Sequence, residues 1–385
     1  MAAERPQLAL FGADRRSDLR RALADLDPSP AGSARWRAAI VHSSPDQLAE
    51  RAERLRELLD EDQAPLRSCP GGGAYLGAGQ RARIGVLFPG QGAPVHSSPG
   101  AIEELVPEAG AVYAAAQLPA EVPPELVQLA VVTSSVSALR ALRALGIEPD
   151  LALGHSLGEL TALHWGGAFD EDVLLRMARA RGEVMTAHAS AEGGMVSLRS
   201  SESVAEQLVE GLDLVVGCFN APAQHVVSGP AAGLDAVLAR AKEARVRAVR
   251  LGVVGAFHSP LMRPAVAAFE RHLDGVRFEP LQRAVFSSVT GGRLDPNTDL
   301  HDLLARQIEQ PVRFTAAAAA VAEHVDLFVE AGPGKILTGL LAPVVPVPGV
   351  ALCASGGSVE PIYEAAAAAS AGGVQVRIPE ALAAA

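Results

Sequence analysis

Two hydrophobic patterns alternate along this 385-residue chain. Short runs of consecutive apolar residues have the length of buried strands. They are separated by longer stretches in which apolar residues recur every three or four positions, as on one face of a helix. In the middle of the chain the apolar runs 84–87 and 151–153 flank such a stretch at 125–145, which ends before Gly146. Strands that alternate with helices in this way predict an α/β fold on a parallel sheet.

The first 80 residues carry a smaller pattern of the same kind. Apolar runs at 8–11 and 37–41 are each followed by a polar stretch with helical spacing, the second at 45–60. This order predicts a small β-α-β-α unit. Residues 65–80 contain Cys-Pro-Gly-Gly-Gly, a composition typical of flexible connections, and we predict a linker there.

Residues 193–253 follow a third pattern, in the order strand, helix, strand, strand, helix, strand. That order is the ferredoxin-like arrangement. Apolar runs resume at 284–286 and 327–329, so we predict a small subdomain inserted in the α/β core, with an active-site cleft between the two. The predicted divisions are 1–80 (an N-terminal α/β domain), 81–192 with 254–360 (the core), 193–253 (the small subdomain) and 361–385 (a C-terminal linker).

Composition narrows the classes of function. The net charge of −11 argues against nucleic acid as a partner. Cys69, Cys218 and Cys353 lack metal-ligand spacing and indicate unpaired thiols in a reducing cytoplasm, so we predict no metal site. We recognise no signal peptide, and the small apolar stretch 316–322 is too short to span a bilayer. We therefore expect a cytoplasmic protein with no membrane partner.

Candidate chemistry centres on Leu153-Gly154-His155-Ser156-Leu157-Gly158, which contains the Gly-x-Ser-x-Gly spacing of a nucleophile elbow. An apolar strand precedes it and helical spacing follows it. The two glycines allow a sharp strand-to-helix turn that lifts the serine hydroxyl out of the sheet, and the helix N-terminus offers N–H groups to a developing oxyanion. A serine in an ordinary tight turn is the alternative interpretation.

A serine nucleophile needs a base, because its hydroxyl is a poor nucleophile at neutral pH. The loop Ala256-Phe257-His258-Ser259-Pro260, just after the small subdomain, supplies a histidine. His155 adjoins the serine, but the elbow turns neighbouring side chains away from each other. A loop histidine bonded only to backbone groups is the alternative for His258. A third segment, Phe88-Pro89-Gly90-Gln91-Gly92, is predicted to be a strand that ends in a glycine-rich turn.

The motifs Pro-Gly-Gln-Gly at 89–92, Gly-His-Ser-Leu-Gly-Glu at 154–159 and Ala-Phe-His-Ser-Pro at 256–260, in this order, resemble those of polyketide synthase acyltransferase domains. Those domains are similar to the malonyl transacylases of fatty-acid synthesis. The resemblance covers about residues 82–345, and residues 1–80 resemble the linker domain that joins a ketosynthase to such an acyltransferase. His164-Trp165 and Ala-Pro-Val-His-Ser-Ser-Pro are similar to acyltransferases of iterative enediyne-type synthases.

The resemblance implies an α/β-hydrolase-like core and a ping-pong acyl transfer. A malonyl group would pass from malonyl-CoA to Ser156, with His258 as the base, and then to the phosphopantetheine thiol of an acyl carrier protein domain. The backbone N–H groups of Gln91 and Leu157 would form the oxyanion hole. The resemblance implies no tightly bound cofactor, and it implies a flanking ketosynthase domain as a second partner.

Arg181, in Arg-Gly-Glu-Val-Met, distinguishes this interpretation from an esterase. In the family this arginine holds the free carboxylate of malonyl with two parallel hydrogen bonds, a geometry that suits a guanidinium group. The resemblance also implies that a carbonyl group in segment 307–311 orients His258, with Gln307 at the family's position. A solvated helix face for Arg181 and a surface glutamine at 307 are the alternatives.

Two loop positions before the histidine concern selectivity. Gly255 stands where malonyl-selective members carry a histidine. Phe257 is a bulky residue that leaves little room for a methyl group on the acyl chain, so we expect malonyl to be preferred over methylmalonyl. Two other classes stay open: a serine esterase or thioesterase, which needs a carboxylate beside His258 and no Arg181, and a docking domain that has lost catalysis.

Overall fold

The computed structural model describes residues 5–29, 31–61, 65–352 and 356–377. The N-terminal unit is an antiparallel sheet with strand order β1-β2-β4-β3, covered on one face by two helices. Its elements are β1 Gln7–Ala13, α1 Arg16–Asp25, β2 Trp36–His42, α2 Pro45–Leu58, β3 Leu66–Ser68 and β4 Ala74–Ala78. The predicted β-α-β-α order of β1 to α2 is confirmed.

Strand β2 lies between two hydrophobic cores, because successive side chains of a strand point to opposite faces. Trp36, Ala38 and Ile40 pack with the helices α1 and α2 in the core of the N-terminal unit. Ala39 and Val41 face the other way and belong to the main core of the molecule. The N-terminal sheet is therefore buried on both faces.

The predicted flexible linker at 65–80 is wrong, because most of this segment forms β3 and β4. The two strands pair antiparallel, with Ser68 opposite Tyr75. Gly71, Gly72 and Gly73 all have positive φ and make the turn between them. The Cys-Pro-Gly-Gly-Gly sequence is thus the composition of a tight turn, and the buried side chains that follow it hold the hairpin in the sheet.

The core begins with a strand that is buried along its whole length, as parallel strands are. The elements up to the small subdomain are β5 Ile84–Phe88, α3 Ile102–Leu105, α4 Pro107–Ala116, α5 Val127–Ala144, β6 Leu151–Gly154, α6 Gly158–Trp165 and α7 Glu171–Ala187. The helix predicted at 125–145 is confirmed as α5, which follows a single 3₁₀ turn. Within the described residues, only the segment Pro124–Ala144 is long and apolar enough to cross a membrane, and 72% of its apolar window is buried in the fold.

The small subdomain is an antiparallel sheet in the order β10-β7-β9-β8, which confirms the ferredoxin-like prediction. Its elements are β7 Gly193–Arg199, α8 Glu202–Val209, β8 Val215–Ala221, β9 Gln224–Pro230, α9 Ala231–Glu243 and β10 Arg247–Arg250. It has a hydrophobic core of its own between sheet and helices. Strand β8 also contacts the main core, where the backbones of Phe219 and Gly217 exchange hydrogen bonds of 2.8 and 2.9 Å with Val312.

The chain then returns to complete the large sheet. The returning elements are α10 Arg263–Leu273, β11 Ala284–Ser287, β12 Gly292–Arg293, α11 Leu300–Arg306, α12 Phe314–Ala322, β13 Leu327–Glu330, α13 Ile336–Leu341 and β14 Gly349–Ala351. The strand order is β12-β11-β6-β5-β13-β14, and every neighbouring pair is parallel except β11 with β12. The predicted parallel-rich α/β core with an inserted subdomain is confirmed.

A last helix, α14 Glu360–Ala371, packs against β2 and β4 of the N-terminal sheet. The Arg37 Nε donates to the carbonyl oxygen of Ala371 at 3.0 Å. A Cβ on Gly77 would overlap that same carbonyl, so glycine permits the close approach. The predicted C-terminal linker at 361–385 therefore begins inside a buried helix, and its residues 378–385 lie outside the described residues.

Candidate active site

Ser156 lies in a sharp turn between β6 and α6. Its φ is +49°, in the left-handed region that few residues other than glycine adopt. A Cβ on Gly154 would overlap the backbone of Gly158 and Glu159, and a Cβ on Gly158 would overlap the carbonyl oxygen of Phe88. Both glycines of the motif are therefore required by close backbone approach, and the turn has the geometry of a nucleophile elbow.

The structure brings His258 to this serine. The Ser156 Oγ and His258 Nε2 are 2.9 Å apart. On the other side of the ring, Nδ1 lies 2.9 Å from the carbonyl oxygen of Gln310 and 3.1 Å from that of Gln307. Carbonyl oxygens can only accept, so Nδ1 carries the hydrogen, and the Nε2 lone pair faces the hydroxyl.

The histidine ring is held neutral. Burial, and then the positive charge of Arg181, lower the pKa of His258 to about 3. The loop that carries the ring is anchored by the small subdomain, since the Ser228 Oγ donates to the carbonyl oxygen of Phe257 at 2.6 Å. His258 itself has a φ of +59°. Both members of the pair are thus held in backbone conformations that the surrounding packing must impose.

Arg181 is fully buried beside the pair, which excludes a solvated helix face. Its Nη1 donates to the Oε1 of Gln128 at 2.7 Å, and its Nη2 donates to the Oε1 of Gln307 at 3.0 Å. The same Nη2 lies 3.4 Å from the Ser156 Oγ. Burial lowers the pKa of Arg181 to about 10, so the guanidinium remains charged at neutral pH. A cation is therefore held next to the elbow serine.

Gln307 connects the arginine to the elbow. It is buried at the end of α11, and its Nε2 donates to the carbonyl oxygen of Ser156 at 2.8 Å and to the Oε2 of Glu159 at 3.1 Å. Glu159 is also fully buried, and burial raises its pKa to about 7 against the opposing hydrogen bonds of Ser287, Gln307 and Ser288. The arginine, the amide and the carboxyl group form one network below the serine.

A cavity of about 220 Å³ opens above the pair. It lies between the glycine-rich turn at Gln91, the elbow, the small subdomain and α13, as the predicted cleft position requires. Phe257 lines it and is nearly buried. Gly255 has a φ of +105°, and a Cβ there would lie 3.0 Å from that of Ala189, so a side chain at that position would strain the loop. Leu157 is the residue at the start of α6.

Several buried polar groups of the site were not predicted from the sequence. Gln128 and Glu159 belong to this set, whereas the carbonyl of Gln310 lies in the segment 307–311 where the resemblance implies such a carbonyl. Neither Gln128 nor Glu159 stands out in the sequence, because each lies in a helix that contains other polar residues. Within the described residues no cluster of three His, Cys, Asp or Glu could hold a metal ion. Cys218 lines the cavity, where burial raises its pKa to about 12, and Cys353 lies outside the described residues.

The parallel-rich sheet, the elbow serine and its histidine define the class, an α/β protein with the geometry for acyl transfer to a serine. The acyl transferase domain family matches residues 114–358, and the chain belongs to this family. The predicted resemblance is confirmed. Each partner of the His258 Nδ1 found among the described residues is a carbonyl oxygen, so the carboxylate that an esterase would need is replaced.

Relatives and solved structures agree with this assignment. The malonyl CoA-acyl carrier protein transacylase of Bacillus subtilis (strain 168) is 33% identical over 287 residues, which are 68% of this chain and 90% of the relative. The polyketide synthase GfsB of Streptomyces halstedii is 35% identical over 219 residues, which are 55% of this chain but only 4% of that synthase. The acyltransferase domain of an iterative polyketide synthase in enediyne biosynthesis superposes with a TM-score of 0.83 at 33% identity, covering 97% of this chain and 98% of that one.

Proposed function

We propose that this acyltransferase moves a malonyl group from malonyl-CoA, through an ester on Ser156, to the phosphopantetheine thiol of an acyl carrier protein in polyketide biosynthesis. The observation that carries the proposal is the buried guanidinium of Arg181, 3.4 Å from the Ser156 Oγ. A guanidinium fork suits a carboxylate, so a buried arginine beside the serine fits an acyl group that carries one. The relatives named for malonyl transfer support the same substrate.

In the first half-reaction His258 acts as the base. Its Nε2 accepts the hydroxyl proton while the Ser156 Oγ attacks the thioester carbonyl of malonyl-CoA. The backbone N–H groups of Gln91 and Leu157 stabilise the oxyanion, at the glycine-rich turn and at the start of α6. When the tetrahedral intermediate collapses, the C–S bond breaks and the departing CoA sulfur takes the proton from Nε2.

The second half-reaction uses the same groups in reverse. The phosphopantetheine thiol gives its proton to His258, and the sulfur attacks the ester carbonyl and releases the Ser156 Oγ, which regains the proton. A thiol with a pKa of about 8.5 is much easier to deprotonate than water, whose pKa is about 15.7. His258 has neutral carbonyl partners where a hydrolase has a carboxylate. This weak base favours transfer to a thiol over hydrolysis.

The rest of the chain fits a synthase context. We assign Arg181 to the malonyl carboxylate, Gln307 and Gln310 to the orientation of His258, and Phe257 with Gly255 to the preference for malonyl over methylmalonyl. The N-terminal unit is the linker domain towards a flanking ketosynthase, and the location is cytoplasmic. The reaction needs no tightly bound cofactor, since the substrate thioester supplies the activated acyl group.

Intact-protein mass after mixing with malonyl-CoA tests the proposal directly. We expect a malonyl adduct on the wild type and none on Ser156→Ala. His258→Ala should form the adduct several orders of magnitude more slowly, since serine and base act as a unit. His301→Ala, at a half-exposed histidine paired with Asp274, is the matched control and should load normally. Stable labelling of Ser156→Ala at another residue would remove the assignment of the nucleophile.

A further inference from the structure

Glu159 is a buried acid that the proposed chemistry does not use. It is the only Asp or Glu in α6, lies in the first turn and is completely buried. Its Oε2 accepts from the Gln307 Nε2 at 3.1 Å and from the Ser288 Oγ at 3.3 Å. Its Oε1 has no hydrogen-bond partner among the described residues. Burying a carboxylate with an unbonded oxygen costs free energy, and packing at a helix end does not offset that cost.

The electrostatic partner of Glu159 is Arg181. Among the described residues no ion pair within 4 Å includes this guanidinium. Glu159 is the charge that raises its pKa against the effect of burial. The other groups around Glu159 are the hydroxyls of Ser287 and Ser288, from β11 and its end, and the amide of Gln307. In the empty site one buried cation is therefore balanced by one buried anion.

Gln307 transmits the interaction. Its Nε2 donates to the carboxyl group of Glu159, and its Oε1 accepts from the guanidinium of Arg181. The bond to Glu159 therefore also fixes the orientation in which the amide presents its oxygen to Arg181. If the amide were reversed, its NH₂ group would meet the Nη2 donor. Glu159 thus determines that the oxygen of the Gln307 amide points to Arg181. This contact in turn orients the guanidinium beside Ser156.

A malonyl group brings a second carboxylate to the same cation. One buried guanidinium cannot balance two buried carboxylates, because the like charges raise each other's energy. We propose, on the basis of the proposed function, that Glu159 is a positioning residue that carries the counter-charge of Arg181 in the empty site and becomes neutral when the malonyl carboxylate binds. The Glu159 carboxylate gains one proton from solvent, and no other bond changes.

The acidity of the group supports this exchange. Burial raises the pKa of Glu159 to about 7, so ionised and protonated forms are both accessible near neutral pH. Above that pH the ionised acid competes with malonyl for Arg181. The KM for malonyl-CoA should therefore rise with pH above 7 while kcat changes less. In Glu159→Gln, which keeps an oxygen acceptor for Gln307 but has no charge to lose, the KM should be independent of pH.

Proton uptake during the first turnover is the decisive measurement. The wild type is mixed with malonyl-CoA at pH 7 in dilute buffer with an indicator dye, and the adduct is counted by intact mass. Acylation itself exchanges a serine proton for a thiol proton, so its net proton change is zero. We expect uptake of a fraction of a proton per malonyl-enzyme formed, and a larger fraction at higher pH, because less of Glu159 is then protonated before binding. Glu159→Gln should load malonyl without uptake.

The possible outcomes separate this inference from the proposed function. A wild type that forms no malonyl-enzyme removes the function itself. A wild type that forms it fully with no proton uptake overturns the role of Glu159 and leaves the function intact. Equal losses of malonyl and acetyl transfer in Glu159→Gln, with an unchanged pH profile, would show that the acid only stabilises the elbow, and would also overturn the inference.

Discussion

The two ends of the active site rely on different structural features, namely backbone conformation at one end and buried polar and charged side chains at the other. At the serine end, Ser156 and His258 have positive φ, and backbone carbonyls orient the imidazole. At the arginine end, the buried side chains of Arg181, Gln307 and Glu159 form a charged network. Backbone geometry can direct a bond-forming step on any acyl group, whereas a charge network selects by the charge of the substrate. The chemistry and the selectivity are therefore separable by mutation.

The two ends nevertheless share an electrostatic field. The charge of Arg181 helps to lower the pKa of His258, after the larger effect of burial. The two ends are therefore linked through the charge of Arg181, and a substitution that removes this charge should make His258 a stronger base.

The largest effect on transfer is expected from removal of the arginine. We expect Arg181→Ala to reduce malonyl transfer about a hundredfold or more, because the substrate carboxylate loses a buried charged partner. Transfer of acetyl should be unchanged or faster. Competition between the two CoA esters, followed by intact mass, measures the ratio.

The matched control is Arg179→Ala, which removes the same residue type from the same helix. Arg179 is half-buried and donates to the carbonyl oxygen of Ala116, away from the serine. Its malonyl-to-acetyl ratio should equal that of the wild type. If malonyl and acetyl transfer fall by the same factor in Arg181→Ala, the arginine is structural and the dicarboxylate assignment fails.

A smaller effect is expected where the cavity wall meets the acyl chain. Phe257→Ser should narrow the preference for malonyl over methylmalonyl by about tenfold, since one methyl group is worth about 1–3 kcal/mol of discrimination. Malonyl transfer itself should persist, because Arg181 and the Ser156–His258 pair are intact. Competition between malonyl-CoA and methylmalonyl-CoA measures this preference. A wild type that loads both esters equally well would show that Phe257 does not control the choice.

The smallest effect concerns the pH dependence of acylation at Ser156. A histidine with the ordinary pKa of about 6.5 would lose about fourfold in its neutral form between pH 8 and pH 6. Because the pKa of His258 is lowered to about 3, it stays neutral over that range, so acylation by acetyl-CoA should be flat. In Arg181→Ala the acid limb should move to higher pH, since a charge that lowers the histidine pKa is gone. A fourfold loss in the wild type would contradict the neutral, buried imidazole.

Local motifs explain which parts of the fold and site were predictable. Gly154 and Gly158 flank Ser156 because only glycine allows the turn, so the motif specified the geometry. The contacts of Gln307 with Arg181 and Glu159 join segments far apart in the chain, and their side-chain partners carry no local signal. Their roles at this site remain predictions.

The error at 65–80 has the same origin. Glycine and proline mark a change of chain direction, but they do not tell a connection between domains from a hairpin turn. The strands β3 and β4 are held by long-range packing: Tyr75 hydrogen-bonds to Glu364 of α14, and Gly77 meets the end of that helix. Those partners lie almost 300 residues further along the chain, at a separation of 289 for Tyr75 and Glu364.

The packing of α14 against the N-terminal sheet has a consequence for the rate of folding. The bond from Arg37 to Ala371 closes a loop of 334 residues, so the N-terminal sheet is completed by a helix that is translated much later. Until then the face that carries Ala39, Val41 and Tyr75 has no cover from α14, and a nascent chain must protect it by other means. Contacts of such long range are slow to form. The N-terminal unit is therefore translated well before the helix that completes it.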